Sequence, residues 1–246
     1  MTNAFHHNQE NDPGYLLMKL FRTILEDPVA KSEAAVVIDV CRAFTTAAYA
    51  FSAGAQKIIL VRTIQEAFQL KNVFSDALVL GESNGLPIEG FDLWNSPSDI
   101  RSRNLTGITI IQRTTAGTQG MVAYCDTPML LAGTFVNAGA TIQYLRDNQP
   151  ESVNFVMTGV HSESSSLEDK ACADYFIDSL NGNAANSADY LSIVSSWKPE
   201  KISSQPEILQ KLNEDLECCS KLDCFNFVMK ASKQDQLLIL QPVRNK

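Results

Sequence analysis

Six short aliphatic runs, AAVVIDV, KIILV, ALVLGE, GITIIQ, MLLAG and VNFVMTG, are spaced along residues 34–159. Each is too short for a buried helix and too uniformly apolar for a strand with one wet face, so each reads as a strand buried on both sides. Between them, RAFTTAAYAFSAG reads as a helix closed by Gly54, IQEAFQLKN carries an Ile64, Ala67, Phe68 stripe, and NAGATIQYLRDN has the length of a helix. Strands alternating with helices require crossovers and parallel pairing. The expectation is an α/β fold, a three-layer α/β/α arrangement with a mostly parallel (mixed) sheet. VVIDVCRAFT and ITIIQRTTAG both run from an apolar strand into a loop bearing Arg and Thr, and ALVLGE and VNFVMTG both close a unit, which suggests an internal duplication.

Residues 1–14 read as a polar tail, and YLLMKLFRTIL places Leu16, Leu17, Leu20, Phe21, Ile24 and Leu25 at helical spacing. Residues 1–30 are therefore expected to be a tail with an extra helix, and residues 31–246 a single α/β domain. The apolar stripe of that helix either caps the core or forms a homodimer surface.

The net charge of −8 and the pI near 4.9 exclude an electrostatic grip on a phosphate backbone, so no nucleic-acid partner is expected. No run approaches membrane-spanning length and the N-terminus lacks a secretory pattern, so no membrane association is expected either. The six cysteines have neither zinc-site spacing nor the density of a disulfide framework, which suits reduced thiols in the cytoplasm.

Ligands of such sheets bind beyond the carboxyl ends of the strands. There the sequence offers Asp39 and Arg42, Glu82, Arg113 with Thr114, Thr115 and Thr118, Asn137, and Glu168 with Asp169. Carboxylates beside hydroxyls and a guanidinium suit Mg²⁺ together with a phosphate, since hard oxygens hold the cation while donors hold the anion. Each group also has a plainer use. Asp39 in an apolar strand needs a partner, and Arg42 is the nearest; Ser166 and Asp169 fit a capping box; the threonines can cap the next helix, although Gly117 among them lets the loop wrap an anion. His161 is a lone histidine in a Ser-rich loop. No phosphate-binding Gly-x-x-x-x-Gly-Lys loop and no Gly-x-Gly-x-x-Gly fingerprint is present, which counts against a nucleoside triphosphatase and a dinucleotide oxidoreductase.

IDVCRAFTT, GESNGLPIEGFDLWNSP, TTAGT and SLEDKACA, in this order, resemble the 2-phosphosulfolactate phosphatase family over roughly residues 33–243. The resemblance implies a Mg²⁺-dependent phosphatase that acts on a small phosphorylated, sulfonated hydroxy acid, 2-phospho-3-sulfolactate, on the route to coenzyme M. Position by position it implies Asp39, Asp92 and Arg42 as catalytic residues. Thr45, Thr46, Asn95, Ser96, Thr114, Thr115, Gly117 and Thr118 would bind substrate, and Asp39, Glu82, Asp92, Glu168 and Asp169 would supply metal ligands. Arg42 is then expected to hold the phosphate instead of serving only as partner to Asp39. Three positions depart from the family's pattern: Ser83 replaces an Arg, Trp94 a Gly and Ala116 an Asn. The alternative reading is therefore a degenerate member that binds metal and a small anion without turnover.

Overall fold

The computed structural model describes residues 18–27, 29–159, 166–198 and 202–244. Ten strands form one sheet, mixed and mostly parallel. They are β1 (Lys19–Ile24), β2 (Ala34–Ile38), β3 (Lys57–Leu60), β4 (Leu78–Gly81), β5 (Leu93–Trp94), β6 (Thr109–Arg113), β7 (Met129–Gly133), β8 (Ser152–Met157), β9 (Val228–Gln234) and β10 (Leu237–Val243). Their order across the sheet is β1-β8-β2-β7-β9-β10-β3-β6-β4-β5. The hairpin β9–β10 runs antiparallel and joins two parallel four-stranded halves.

The halves share one plan. Outward from the hairpin, one reads β7-β2-β8-β1 and the other β3-β6-β4-β5, so β2 corresponds to β6 and β8 to β4. These are the pairs that the sequence comparison of VVIDVCRAFT with ITIIQRTTAG and of ALVLGE with VNFVMTG selected. The two units have exchanged their first strands: β2 lies between β7 and β8, and β6 between β3 and β4.

That exchange places helix α1 (Ala43–Ser52) at the centre. Every residue from Ala43 to Phe51 is buried, so this helix has no wet face, and its four alanines let neighbouring elements approach closely. The core around it combines Ala35 and Val37 of β2 with Ile58 and Leu60 of β3, Leu80 of β4 and Ile110 of β6. Alternate residues of β2, Ala34, Val36 and Ile38, face a second core on the other side, beneath α5 (Ala138–Asn148) and α6 (Leu167–Leu180). A third core lies under α2 (Ile64–Val73), whose start carries a capping box of Thr63 and Glu66. In a flat sheet the ends of β2 and β6 would stand roughly 24 Å apart, five strand spacings. The sheet instead curls around α1 and brings the two ends together.

The remaining helices are α3 (Pro97–Ile100), α4 (Gly117–Ala123), α7 (Ser187–Ser195) and α8 (Pro206–Cys219). Among the described residues no helix is long and apolar enough to cross a membrane.

One expected element is different. The segment read as a helix over 15–25 is, where described, the edge strand β1, paired in parallel with β8 from Lys19↔Ser152 to Ile24↔Met157; Leu16 and Leu17 lie outside the described residues. Leu20 and Ile24 pack into the core beneath α5 and α6, and Thr23 hydrogen-bonds Asn154 Oδ1 at 3.2 Å. An open strand edge beside β8 offers a ladder of backbone partners, and this tertiary contact overrides the helical spacing. The helical stripe that suggested a homodimer surface therefore has no helix to carry it.

Candidate active site

A cavity of about 240 Å³ opens at the carboxyl ends of the strands. That is below the roughly 300–1,000 Å³ of drug-sized ligand pockets, so it suits a compact molecule. Of the catalytic, substrate-binding and metal residues expected from the sequence, Asp39, Arg42, Glu82, Asn95, Thr115, Glu168 and Asp169 line it.

Asp39 directly follows β2 and lies between two helix starts. Its Oδ1 accepts from Ala43 N of α1 at 2.9 Å, and the backbone N–H of Gly117, at the start of α4, donates to it as well. A Cβ on Gly117 would lie 2.8 Å from Asp39 Oδ2 and from Ala43 Cβ, so only glycine allows this approach. Burial raises the Asp39 carboxyl to about 6, against the pull of the Ala43 N–H, and the charge of Glu82 adds to the rise. Asp169 accepts from Val40 N at 2.8 Å and from Gly159 N at 3.1 Å, bridging the ends of β2 and β8. Burial, then the charges of Glu168 and Asp39, push its carboxyl well above the usual range.

Glu82, after β4, receives Thr115 N at 2.5 Å on one oxygen and Gly85 N at 2.5 Å with Thr115 Oγ1 at 3.0 Å on the other. It ties the loop after β4 to the loop after β6. Gly85 has φ +81, a backbone state that glycine alone adopts without strain, and its carbonyl accepts from Arg42 Nη2 at 2.8 Å. Arg42 pairs with Asp215 of α8, Nη1 to Oδ2 at 2.6 Å, with both side chains almost wholly buried. The ring of Trp94 lies over its guanidinium at 4.5 Å. The plainer use offered from the sequence was an ion pair of Arg42 with Asp39; the ion pair in the structure is with Asp215.

Asn95 is buried and its Oδ1 has no partner among the described residues. Asp39, Asp169 and Glu168 lie close enough for their charges to repel, and their hard oxygens are the donors a divalent cation takes. Among the described residues no three His, Cys, Asp or Glu side chains already form a metal-holding group. The donor set fits such a cation in chemistry: four carboxylates, Asp39, Glu82, Glu168 and Asp169, face two cationic side chains, Arg42 and Lys198.

The other expected site residues do not line the cavity. Thr45 donates to the Val40 carbonyl at 2.8 Å and Thr46 to that of Arg42 at 2.9 Å. Thr114 and Thr118 exchange backbone and hydroxyl bonds at 3.0 Å and brace the start of α4. Ser96 caps α3. The Ser166–Asp169 capping box does not form either: Ser166, which does line the cavity, lies at φ 51 without a capping bond and donates to the Gly159 carbonyl. His161 lies outside the described residues.

Asp92 and Asn95 lie at opposite ends of β5. Asp92 precedes the strand, where its Oδ2 accepts from Val79 N at 2.8 Å and from Lys71 Nζ at 3.3 Å. Of this segment only what lies beyond the carboxyl end of β5 reaches the mouth, and Asn95 does. Asp92→Asn is expected to leave kcat/KM within about twofold. Because an amide still accepts one of the two bonds, stability should fall by about 1 kcal/mol; a loss of turnover above tenfold in a folded variant would return Asp92 to the chemistry.

A family model described as 2-phosphosulpholactate phosphatase matches residues 22–234. The chain belongs to this family. It is 35% identical over 217 residues to the "Probable 2-phosphosulfolactate phosphatase" of Bacillus subtilis (strain 168), covering 87% of this chain and 94% of that protein. The protein of the same name from Carboxydothermus hydrogenoformans is 37% identical over 225 residues, covering 87% and 93%. That of Microcystis aeruginosa (strain NIES-843) is 30% identical over 223 residues, covering 84% and 92%. These relatives are named as phosphatases, hydrolases of phosphoric monoesters, and the cavity of this 2-phosphosulfolactate phosphatase family member gathers the expected kinds of side chain.

Sequence reasoning missed several of the residues that build the cavity or support it, four of which bear most on the chemistry. Trp197, Lys198 and Ile202 line the mouth and come from a segment with no strand-end signal. Asp215 carried one. Leu212, Asp215, Cys218 and Cys219 form the buried stripe of α8, and a carboxylate on the apolar face of a helix is costly unless it is paired.

Proposed function

We propose that the cavity hydrolyses 2-phospho-3-sulfolactate, or a closely similar phosphorylated hydroxy acid, to the free hydroxy acid and phosphate, with Mg²⁺ as cofactor. One observation carries the reading: Asp39, Arg42, Glu82, Asn95, Thr115, Glu168 and Asp169 come from widely separated segments and line one small cavity. Phosphoryl transfer asks a protein mainly for positioning and charge compensation, and these groups supply both. Mg²⁺, held by Asp39, Glu168 and Asp169, would neutralise phosphoryl charge. Arg42, fixed in place, offers its remaining N–H groups to the phosphoryl oxygens. Lys198 at the mouth suits a second anionic group of the substrate. Asn95 Oδ1, an acceptor in want of a donor, suits the attacking water or a substrate hydroxyl. Six cysteines that all stand as free thiols suit the cytoplasm.

Hydrolysis of 2-phospho-3-sulfolactate and of carboxylated analogues, followed by phosphate release, tests the reading. Removal of divalent cations by a chelator is expected to lower turnover at least about 100-fold, and added Mg²⁺ to restore it. Turnover that survives exhaustive chelation would remove the metal from the reaction. Phosphate binding without turnover of any analogue would identify the degenerate member that Ser83, Trp94 and Ala116 suggested.

A further inference from the structure

Arg42 reaches the cavity from the start of α1, yet what orients it lies elsewhere in the chain. Its Nη1 is on Asp215, its Nη2 on the Gly85 carbonyl, and the Trp94 ring covers one side of its plane. A guanidinium held at two nitrogens and against one face keeps a single orientation. Asp215 lies outside the cavity lining and is fully buried. Its second oxygen accepts from Ser96 Oγ at 2.6 Å, Ser98 N at 3.1 Å and Ser98 Oγ at 2.5 Å. One carboxylate on α8 therefore ties Arg42 to the turn that begins at Asn95.

We propose that Asp215 is the positioning residue for anion recognition: through Oδ2 it sets the guanidinium of Arg42 for the substrate's phosphoryl oxygens, while its bonds through Oδ1 to Ser96 and Ser98 hold the carboxylate itself in place. This rests on the reading of the cavity as the phosphatase site. The two oxygens can be tested separately. In Asp215→Asn the amide oxygen can still serve Ser96 and Ser98, but an N–H then faces Arg42 Nη1, donor against donor. Ser98→Ala removes a bond to the same carboxylate and leaves the Arg42 pair intact.

The probes are inorganic phosphate, by calorimetry, and 2-phospho-3-sulfolactate turnover, each alongside thermal melting. Asp215→Asn should lose at least about tenfold in kcat/KM and in phosphate affinity, which is about 1.4 kcal/mol. Ser98→Ala should lower Tm while leaving both within about twofold. If Asp215 acts through Arg42, Asp215→Asn should add less than about twofold to Arg42→Lys. Should Asp215→Asn fail to fold, Asp215→Glu keeps the charge, moves it by one methylene, and should show the same loss of phosphate affinity. If the wild type turns over and binds phosphate while the Asp215 variants lose only Tm, as Ser98→Ala does, Asp215 is structural and the inference falls. If the wild type does neither, the reading of the cavity itself falls.

Discussion

Asp39→Asn is expected to abolish turnover, by at least about 100-fold, in a protein no less stable than the wild type at pH 7. The functional loss follows from position: Asp39 is on the cavity floor, between the starts of α1 and α4, and is one of three carboxylates assigned to the cation. The stability claim follows from its environment. Burial, reinforced by Glu82, raises the carboxyl from 3.8 to about 6, so the folded protein holds this proton more tightly than the unfolded chain does. The stabilisation that results is complete below pH 3.8 and is lost as pH rises through about 6. At pH 7 without divalent cation the ionised group therefore costs on the order of 3 kcal/mol relative to acid.

Asparagine carries no such charge. It still accepts from Ala43 N, but it turns an N–H₂ toward the Gly117 N–H, which costs about 1 kcal/mol. Urea unfolding with chelator present should find the variant equal to or above the wild type at pH 7, with the difference shrinking at pH 4.5. A variant that keeps its turnover, or whose stability relative to the wild type is worse at pH 7 than at pH 4.5, would contradict this account of Asp39.

Arg42→Ala should cost both fold and function. The substitution leaves the Asp215 carboxylate buried beside Ser96 and Ser98 without the guanidinium that pairs with it. Removing one partner of a buried pair typically costs about 3–5 kcal/mol. It also removes the bond to the Gly85 carbonyl and uncovers the ring of Trp94. In a chain of this length that corresponds to a fall in Tm of roughly 10 °C, with phosphate binding lost in whatever remains folded. A loss below about 1 kcal/mol would mean that the Arg42–Asp215 pair is loosely held in solution.

Much of the site could be read from residue type and place. Asp39, Arg42, Glu82, Thr115, Glu168 and Asp169 follow apolar strands or open a helix, and a parallel sheet collects such residues at one end. The threonines at 114 and 118 have the same address but brace the loop, because a hydroxyl one turn from a free backbone N–H is satisfied locally. Asp92 belongs to a motif that does reach the cavity, yet a two-residue strand separates it from Asn95. Motif membership alone does not say on which side of a strand a residue falls.

The hairpin β9–β10 was not legible as the seam of the sheet. Its two-residue turn, Asp235-Gln236, has positive φ at both positions, the geometry of a type I′ turn, but without the glycine that usually marks one.

What the sequence by itself determined was everything that depends on short range: the alternation of strands and helices, the likeness of β2 to β6 and of β8 to β4, and the carboxylates at the strand ends. Hydrophobic period and turn chemistry act over a few residues, so they are written where they act. The tertiary structure alone decided that residues 19–24 pair with β8 as a strand, that the two units exchange β2 and β6, and that the sheet curls around α1 until Asp39 meets Gly117. It also decided that Arg42 answers to Asp215, 173 residues away. These are choices among partners, each set by the cost of leaving a strand edge, an apolar face or a charge buried without one, and that cost exists only once the chain has closed around them.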